Sequence, residues 1–113
     1  MSAPSHELQT LKAEFFRALA HPARIRLLEV LSDRGEQSVQ ALQGRLDLDQ
    51  PIVSQQLAKL RASGVVVCRK EGTTVLYALA NPRIAELLAV AKAILNHRLT
   101  GHRSLLQELR RSG

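Results

Sequence analysis

A chain of 113 residues holds one domain and excludes a multidomain enzyme built on a large cofactor-binding sheet. With 45% hydrophobic and 23% charged residues it has the composition of a chain that builds a core, not of a disordered tail. The formal net charge of +6 points to a polyanionic partner, but its distribution weakens the argument: the balance is zero over residues 1–37, +2 over 38–80 and +4 over 81–113.

The first periodic stretch carries Leu8, Leu11, Phe15 and Leu19 at the spacing of one helix face, and it predicts a helix over about 7–20. His21-Pro22 then interrupts the chain. Pro22 suits the first turn of a second helix, where its fixed φ helps and its missing amide costs nothing. Ile25, Leu28 and Leu31 form the buried stripe of that helix, and Gly35 is the expected left-handed stop. A short third helix follows from the N-cap Ser38 to Leu46, with Val39, Leu42 and Leu46 inward. After a tight turn, Asp49 or Gln50 caps a fourth helix with Pro51 in its first turn, and Ser63-Gly64 ends it near Ala62.

There the hydrophobic period changes from 3.6 to 2. Val65 to Lys70 and Thr74 to Leu79 read as two antiparallel strands around a Glu71-Gly72-Thr73 turn. Asn81-Pro82 starts a last helix, over about 82–110, with Ile84, Leu88, Ala91 and Leu95 as its stripe and Leu87, Ile94 and Leu99 broadening it. Thr100-Gly101 is a candidate end or kink before Leu105, Leu106 and Leu109. The predicted fold is mainly α with a small β-hairpin, in the order α-α-α-α-β-β-α over residues 1–113. That order is a winged helix-turn-helix with one extra helix at each end.

On a wheel of about 100° per residue, Val53, Leu57 and Leu60 fall on the inner side of the fourth helix. Gln55, Ala58, Lys59 and Ala62 fall opposite, with Gln50 and Pro51 at the start and Ser54 on the flank. Amides and hydroxyls read base edges, small Ala side chains admit close approach, and Lys59 suits a phosphate. Gln56 lies nearer the buried edge and ranks lower. Around the hairpin tip, Arg69, Lys70, Thr73 and Thr74 suit phosphates or a minor groove. The bland alternative for both groups is a solvated surface, and it is the element order that favours DNA. The competing function is a winged-helix protein–protein interaction module with weak, non-specific DNA binding, which the low central charge supports.

Residues 18–28 (Ala-Leu-Ala-His-Pro-Ala-Arg-Ile-Arg-Leu-Leu), residues 50–57 (Gln-Pro-Ile-Val-Ser-Gln-Gln-Leu), and Leu60, Gly64, Val65, Arg69, Gly72 and Tyr77 together resemble the ArsR/SmtB family of bacterial winged-helix repressors. The resemblance covers almost the whole chain. It implies a homodimer joined by the first and last helices, a pseudo-palindromic double-stranded DNA operator, and repression relieved by an inducer. The chain departs from the family's metal-sensing patterns. Where one variant has Cys-x-Cys, this chain has Ser38-Val39-Gln40; where another has Asp and His, it has Asn81-Pro82-Arg83, with Ile94 and His97 further on.

No cofactor is therefore expected. The alternative is a divalent transition metal (nickel, zinc or cobalt) held across a dimer by His97, His102 and His6. His97 and His102 lie about 140° apart on a straight helix and do not chelate one ion by themselves. His21 reads as a capping or turn residue, and Cys68, the single cysteine, as a small core residue, with an intermolecular disulfide as the alternative. One cysteine excludes an internal disulfide framework. No apolar run reaches the roughly 18 residues of a membrane span, and the N-terminus lacks the pattern of a secretion signal, so a cytoplasmic protein is expected. The sequence shows no nucleophile elbow and no phosphate-cradling loop, which argues against an enzyme. Arg98, Arg103, Arg110 and Arg111 read as a solvated basic face, with contact to flanking DNA as the alternative.

Overall fold

The four helices after the first begin for visible chemical reasons. In a computed structural model describing residues 4–112, with side-chain surroundings for 6–101, 107, 108 and 110, the elements are α1 (Pro4–Leu19), α2 (Pro22–Arg34), β1 (Gln37–Ser38), α3 (Val39–Leu46), α4 (Gln50–Ala62), β2 (Val66–Glu71), β3 (Thr74–Leu79) and α5 (Arg83–Ser112). The His21 Nδ1 accepts the Ala23 amide at 3.1 Å, so the expected capping role holds. Ser38 Oγ accepts the Ala41 amide at 3.1 Å, and Asn81 Oδ1 accepts the Arg83 amide at 2.9 Å. Asp49 sits at the N-cap of α4 in extended conformation without a side-chain bond, and Pro51 occupies the first turn.

The helix ends are equally specific. The Gly35 amide donates to Leu31 O at 3.0 Å with φ 75° and ψ −152°. The positive φ was expected; the ψ takes the residue outside the left-handed helical well, into a region that glycine alone enters freely. Helix α3 stops at Asp47, left-handed at φ 52°, where the chain turns toward α4. Across that corner the Arg26 guanidinium donates to Leu46 O at 2.8 Å, placing a cation at the negative end of α3.

The sheet has three strands in the order β1-β3-β2, all antiparallel. The sequence predicts two. Gln37 and Ser38 pair with Tyr77 and Leu76, and a strand of two residues carries no readable alternation. Pairing of Glu71 with Thr74 shortens the turn to Gly72-Thr73, with Gly72 at φ 63°. A positive φ at the first central position is what a two-residue hairpin turn of type II′ asks of glycine.

The core is aliphatic. Leu27, Leu28, Leu42, Val53, Leu57, Leu60, Val65 and Val66 are sealed from solvent, with Leu31, Leu46 and Ile84 nearly so. Leu27 is buried where Ile25 was expected, and Ile25 is half-buried at the margin. The reason is that α2 packs against α3 and α4 and also against α5 and β3, so its buried arc exceeds one row of side chains.

Helices α1 and α5 both leave the body of the domain. Leu8 and Leu11 are exposed, Phe15 is half-buried and Leu19 is buried. On α5, Ile84 is buried and Leu87 and Leu88 are partly covered, but every side chain from 89 to 101 is exposed, including Val90, Ile94, Leu95 and Leu99. The helix runs on through Thr100 and Gly101 without the predicted break. One internal glycine costs a helix about 1 kcal/mol relative to alanine, too little to stop it here. The side chains of Leu105, Leu106 and Leu109 lie outside the described residues. No helix is long and apolar enough to cross a membrane among those described.

Candidate nucleic-acid interface

Three sealed side chains, Val53, Leu57 and Leu60, fix the rotation of α4 about its axis. The opposite face then follows from helix geometry. Gln50, Ser54, Gln55, Ala58, Lys59 and Ala62 are all exposed. Among the described residues, none of the four polar ones is hydrogen-bonded or ion-paired through its side chain to the rest of the protein. Their donors and acceptors are therefore free, on a backbone the core holds rigid. Gln56, ranked lower from the sequence, is 7% exposed and its Oε1 has no partner among the described residues.

The wheel also places Ile52, about 60° from Gln55, on the outward side. Ile52 is 39% exposed, an apolar residue kept at the leading end of an otherwise polar face. Sequence reasoning left it unassigned. Its signal in the sequence is an apolar residue on the outward row of the wheel, and a β-branched side chain there suits a thymine methyl.

The wing behaves differently. Lys70, Thr73 and Thr74 are exposed around the tip and have no side-chain partner among the described residues. Arg69 is exposed too, but its guanidinium is committed. Nε and Nη2 donate to the two Glu36 carboxylate oxygens at 2.7 and 2.6 Å, and Nη2 also donates to Glu71 at 3.0 Å. Hydrogen bonding from Arg69 holds the Glu36 carboxyl below its ordinary value against an opposing desolvation, with the Arg69 charge adding to the lowering, and the same pairing raises Arg69. Glu36 precedes β1 at the corner after α2, so the pair ties the base of the wing to the helical body.

The residues at the family's metal positions do not fit a metal. Ser38 and Gln40 offer a hydroxyl and an amide in place of thiolates, and the Ser38 Oγ already caps α3. The Asn81 Oδ1 likewise caps α5. His6 and His97 are exposed on α1 and α5, and the His102 side chain lies outside the described residues. Among the described residues, no three metal-ligating side chains converge. Cys68 is half-buried opposite Tyr77 on β2, not in the core as expected. Arg98 and Arg110 are exposed, while the Arg103 and Arg111 side chains lie outside the described residues.

Helices α3 and α4 joined by the Asp47–Asp49 turn, with a hairpin beside the second, define a winged helix-turn-helix. The profile described as bacterial regulatory protein, arsR family, matches residues 21–67, from the cap of α2 into β2. The chain is 46% identical over 109 residues, 96% of each chain, to the uncharacterized HTH-type transcriptional regulator Rv0081 of Mycobacterium tuberculosis. The crystal structure of Rv0081 superposes with a TM-score of 0.75 at 47% identity, covering 89% of this chain and 98% of that one. The biofilm growth-associated repressor of Agrobacterium fabrum is 43% identical over 82 residues, 73% of this chain and 69% of its own. The homodimeric winged helix-turn-helix DNA-binding domain Mb0332 of Mycobacterium bovis, solved by NMR, gives a TM-score of 0.79 at 28% identity, covering 90% of this chain and 94% of that one. The chain belongs to the arsR family of bacterial regulatory proteins.

Proposed function

We propose that the protein is a sequence-specific transcriptional repressor that binds a pseudo-palindromic operator as a homodimer in the cytoplasm. The observation that carries this reading is the outward face of α4: polar side chains without partners among the described residues, on a helix whose rotation three buried residues fix. Gln50, Ser54 and Gln55 read base edges, Lys59 meets a phosphate, and Lys70, Thr73 and Thr74 of the wing reach the flanking backbone. Arg69 stands beside them, with Nη1 left over from its carboxylate bonds. Kinship with a named repressor supports the direction of regulation.

The dimer reading draws on two supports. One relative is described as homodimeric, and here α1 and α5 carry apolar side chains that the monomer leaves uncovered. Burying Leu8, Leu11, Ile94 and Leu95 between two copies gives a two-fold pair of recognition helices, spaced about 34–36 Å apart on successive major grooves.

The test is a binding isotherm on a duplex from the gene's own upstream region, beside a scrambled duplex of equal length, at near-physiological salt with and without a chelator. Preference for the native duplex in both conditions supports the reading. Equal, salt-labile binding to both duplexes would move the assignment to a protein-interaction module.

A further inference from the structure

A cleft of about 470 Å³ opens where α1, α2 and α4 meet, and the reading of α4 does not account for its charge. Arg17, Arg24 and Lys59 line it, from three different helices, against a single carboxylate, Glu14. None of the three cations is in an ion pair among the described residues. Arg24 uses Nη1 to hold Ala18 O at 3.1 Å, which fixes the guanidinium at the cleft, while its buried Nε has no acceptor among the described residues. Like charges gathered this way repel, and a bound anion would relieve that repulsion. Guanidinium groups match the planar fork of an oxyanion, so a phosphate or carboxylate is the chemistry that fits.

The position of the cleft narrows the source. Lys59 and Ala62, four and seven residues after Gln55, lie within about 40° of it around the helix and about 6–10 Å further along the axis. The cleft therefore opens on the same face as the base-reading residues, at its C-terminal end. We propose that it is an oxyanion socket, and that in the operator complex it holds a backbone phosphate flanking the major groove. The inference rests on the operator reading and deepens it, adding Arg17 and Arg24 as contacts outside the recognition helix.

The experiment has two arms, both with the full-length chain. In the first, affinity for operator and scrambled duplexes is followed across a salt series for wild type, Arg17→Ala and Arg17→Lys. The Arg17 side chain makes no hydrogen bond or ion pair among the described residues, and circular dichroism checks that each variant folds. The expected result is that Arg17→Ala lowers the log–log salt slope by about one on both duplexes, while Arg17→Lys retains it. In the second arm, inorganic phosphate is titrated into DNA-free protein at constant ionic strength, with amide shifts as the readout. A saturable response at the cleft, lost in Arg17→Ala, with an unchanged salt slope, keeps the socket but overturns the DNA phosphate as its occupant in favour of a free anion. An unchanged slope with no such response overturns the socket itself. If wild type fails to prefer the operator duplex, the operator reading falls, while the scrambled-duplex slope and the phosphate arm still judge the socket.

Discussion

The recognition helix and the wing both present polar side chains to solvent, yet they differ in what those side chains are free to do. On α4, the core-facing row holds the helix and leaves Gln50, Ser54, Gln55 and Lys59 unengaged among the described residues. On β2, the most basic group of the wing, Arg69, is bound to two carboxylates. Arg69, Glu36 and Glu71 together carry a local charge of −1, which repels a phosphate, and Lys70 restores neutrality. Exposure is thus not availability. A residue type on a surface becomes a contact when the protein leaves it without a partner.

The comparison depends on one shared scaffold, and removing it gives the largest effect. Leu57 is sealed at the centre of α4. Leu57→Ala should cost about 2–5 kcal/mol in urea unfolding, from lost burial and the cavity left behind. Operator binding should fall with the folded fraction, and recover where ligand or temperature restores folding. The second effect belongs to the free face. Gln55→Ala should cost about 1–3 kcal/mol of operator affinity and relax preference at one base pair per half-site, read by competition with single-substituted duplexes. Unchanged affinity and preference would show that α4 presents a different face to the groove.

Much of this architecture was legible in the sequence, because its signals are local. The caps His21, Ser38 and Asn81 and the prolines behind two of them mark helix starts at fixed offsets, and the switch from period 3.6 to period 2 marks the hairpin. Helix faces were legible where the exposed arc is unbroken, as on α4. They were less so for α2, whose burial on two sides brought in Leu27. Long-range pairings left no local trace. Glu36 and Arg69 are 33 residues apart and nothing in their spacing joins them. The same holds for β1, whose two residues become a strand through Tyr77 and Leu76, and for Arg17 and Arg24, which meet Lys59 only once the helices pack.

The contrast between committed and free cations predicts a difference in salt dependence. Each phosphate contact removed lowers the slope of log affinity against log salt by about 0.9. Lys70→Ala should lower it by about that amount on operator and scrambled duplexes alike. Arg69→Ala should leave the slope nearly unchanged, because its charge is already compensated within the protein. Its loss should act through wing position, so that Arg69→Ala and Glu36→Gln are non-additive in affinity. A slope falling equally in both variants would make Arg69 a phosphate contact like its neighbour.

The smallest effect concerns acid. The Glu36 carboxyl is held below its ordinary value of 4.5, first by hydrogen bonds from Arg69. A group lowered in the folded state stabilises it fully above the unfolded value, and that contribution disappears as pH falls through the lower folded value. The exposed pair should contribute little to global stability, so the expected readout is local. Amide shifts of Arg69, Lys70 and Glu71 should hold constant from neutral pH down to the ordinary carboxylate range and move together below it. In Glu36→Gln, where Glu71 is the remaining carboxylate on Arg69, the part of that movement owed to Glu36 should vanish while the amides of Ser54 and Gln55 are unaffected. Movement of α4 in the same titration would mean that the clamp positions the recognition helix as well as the wing, and the two regions would then answer to one ion pair.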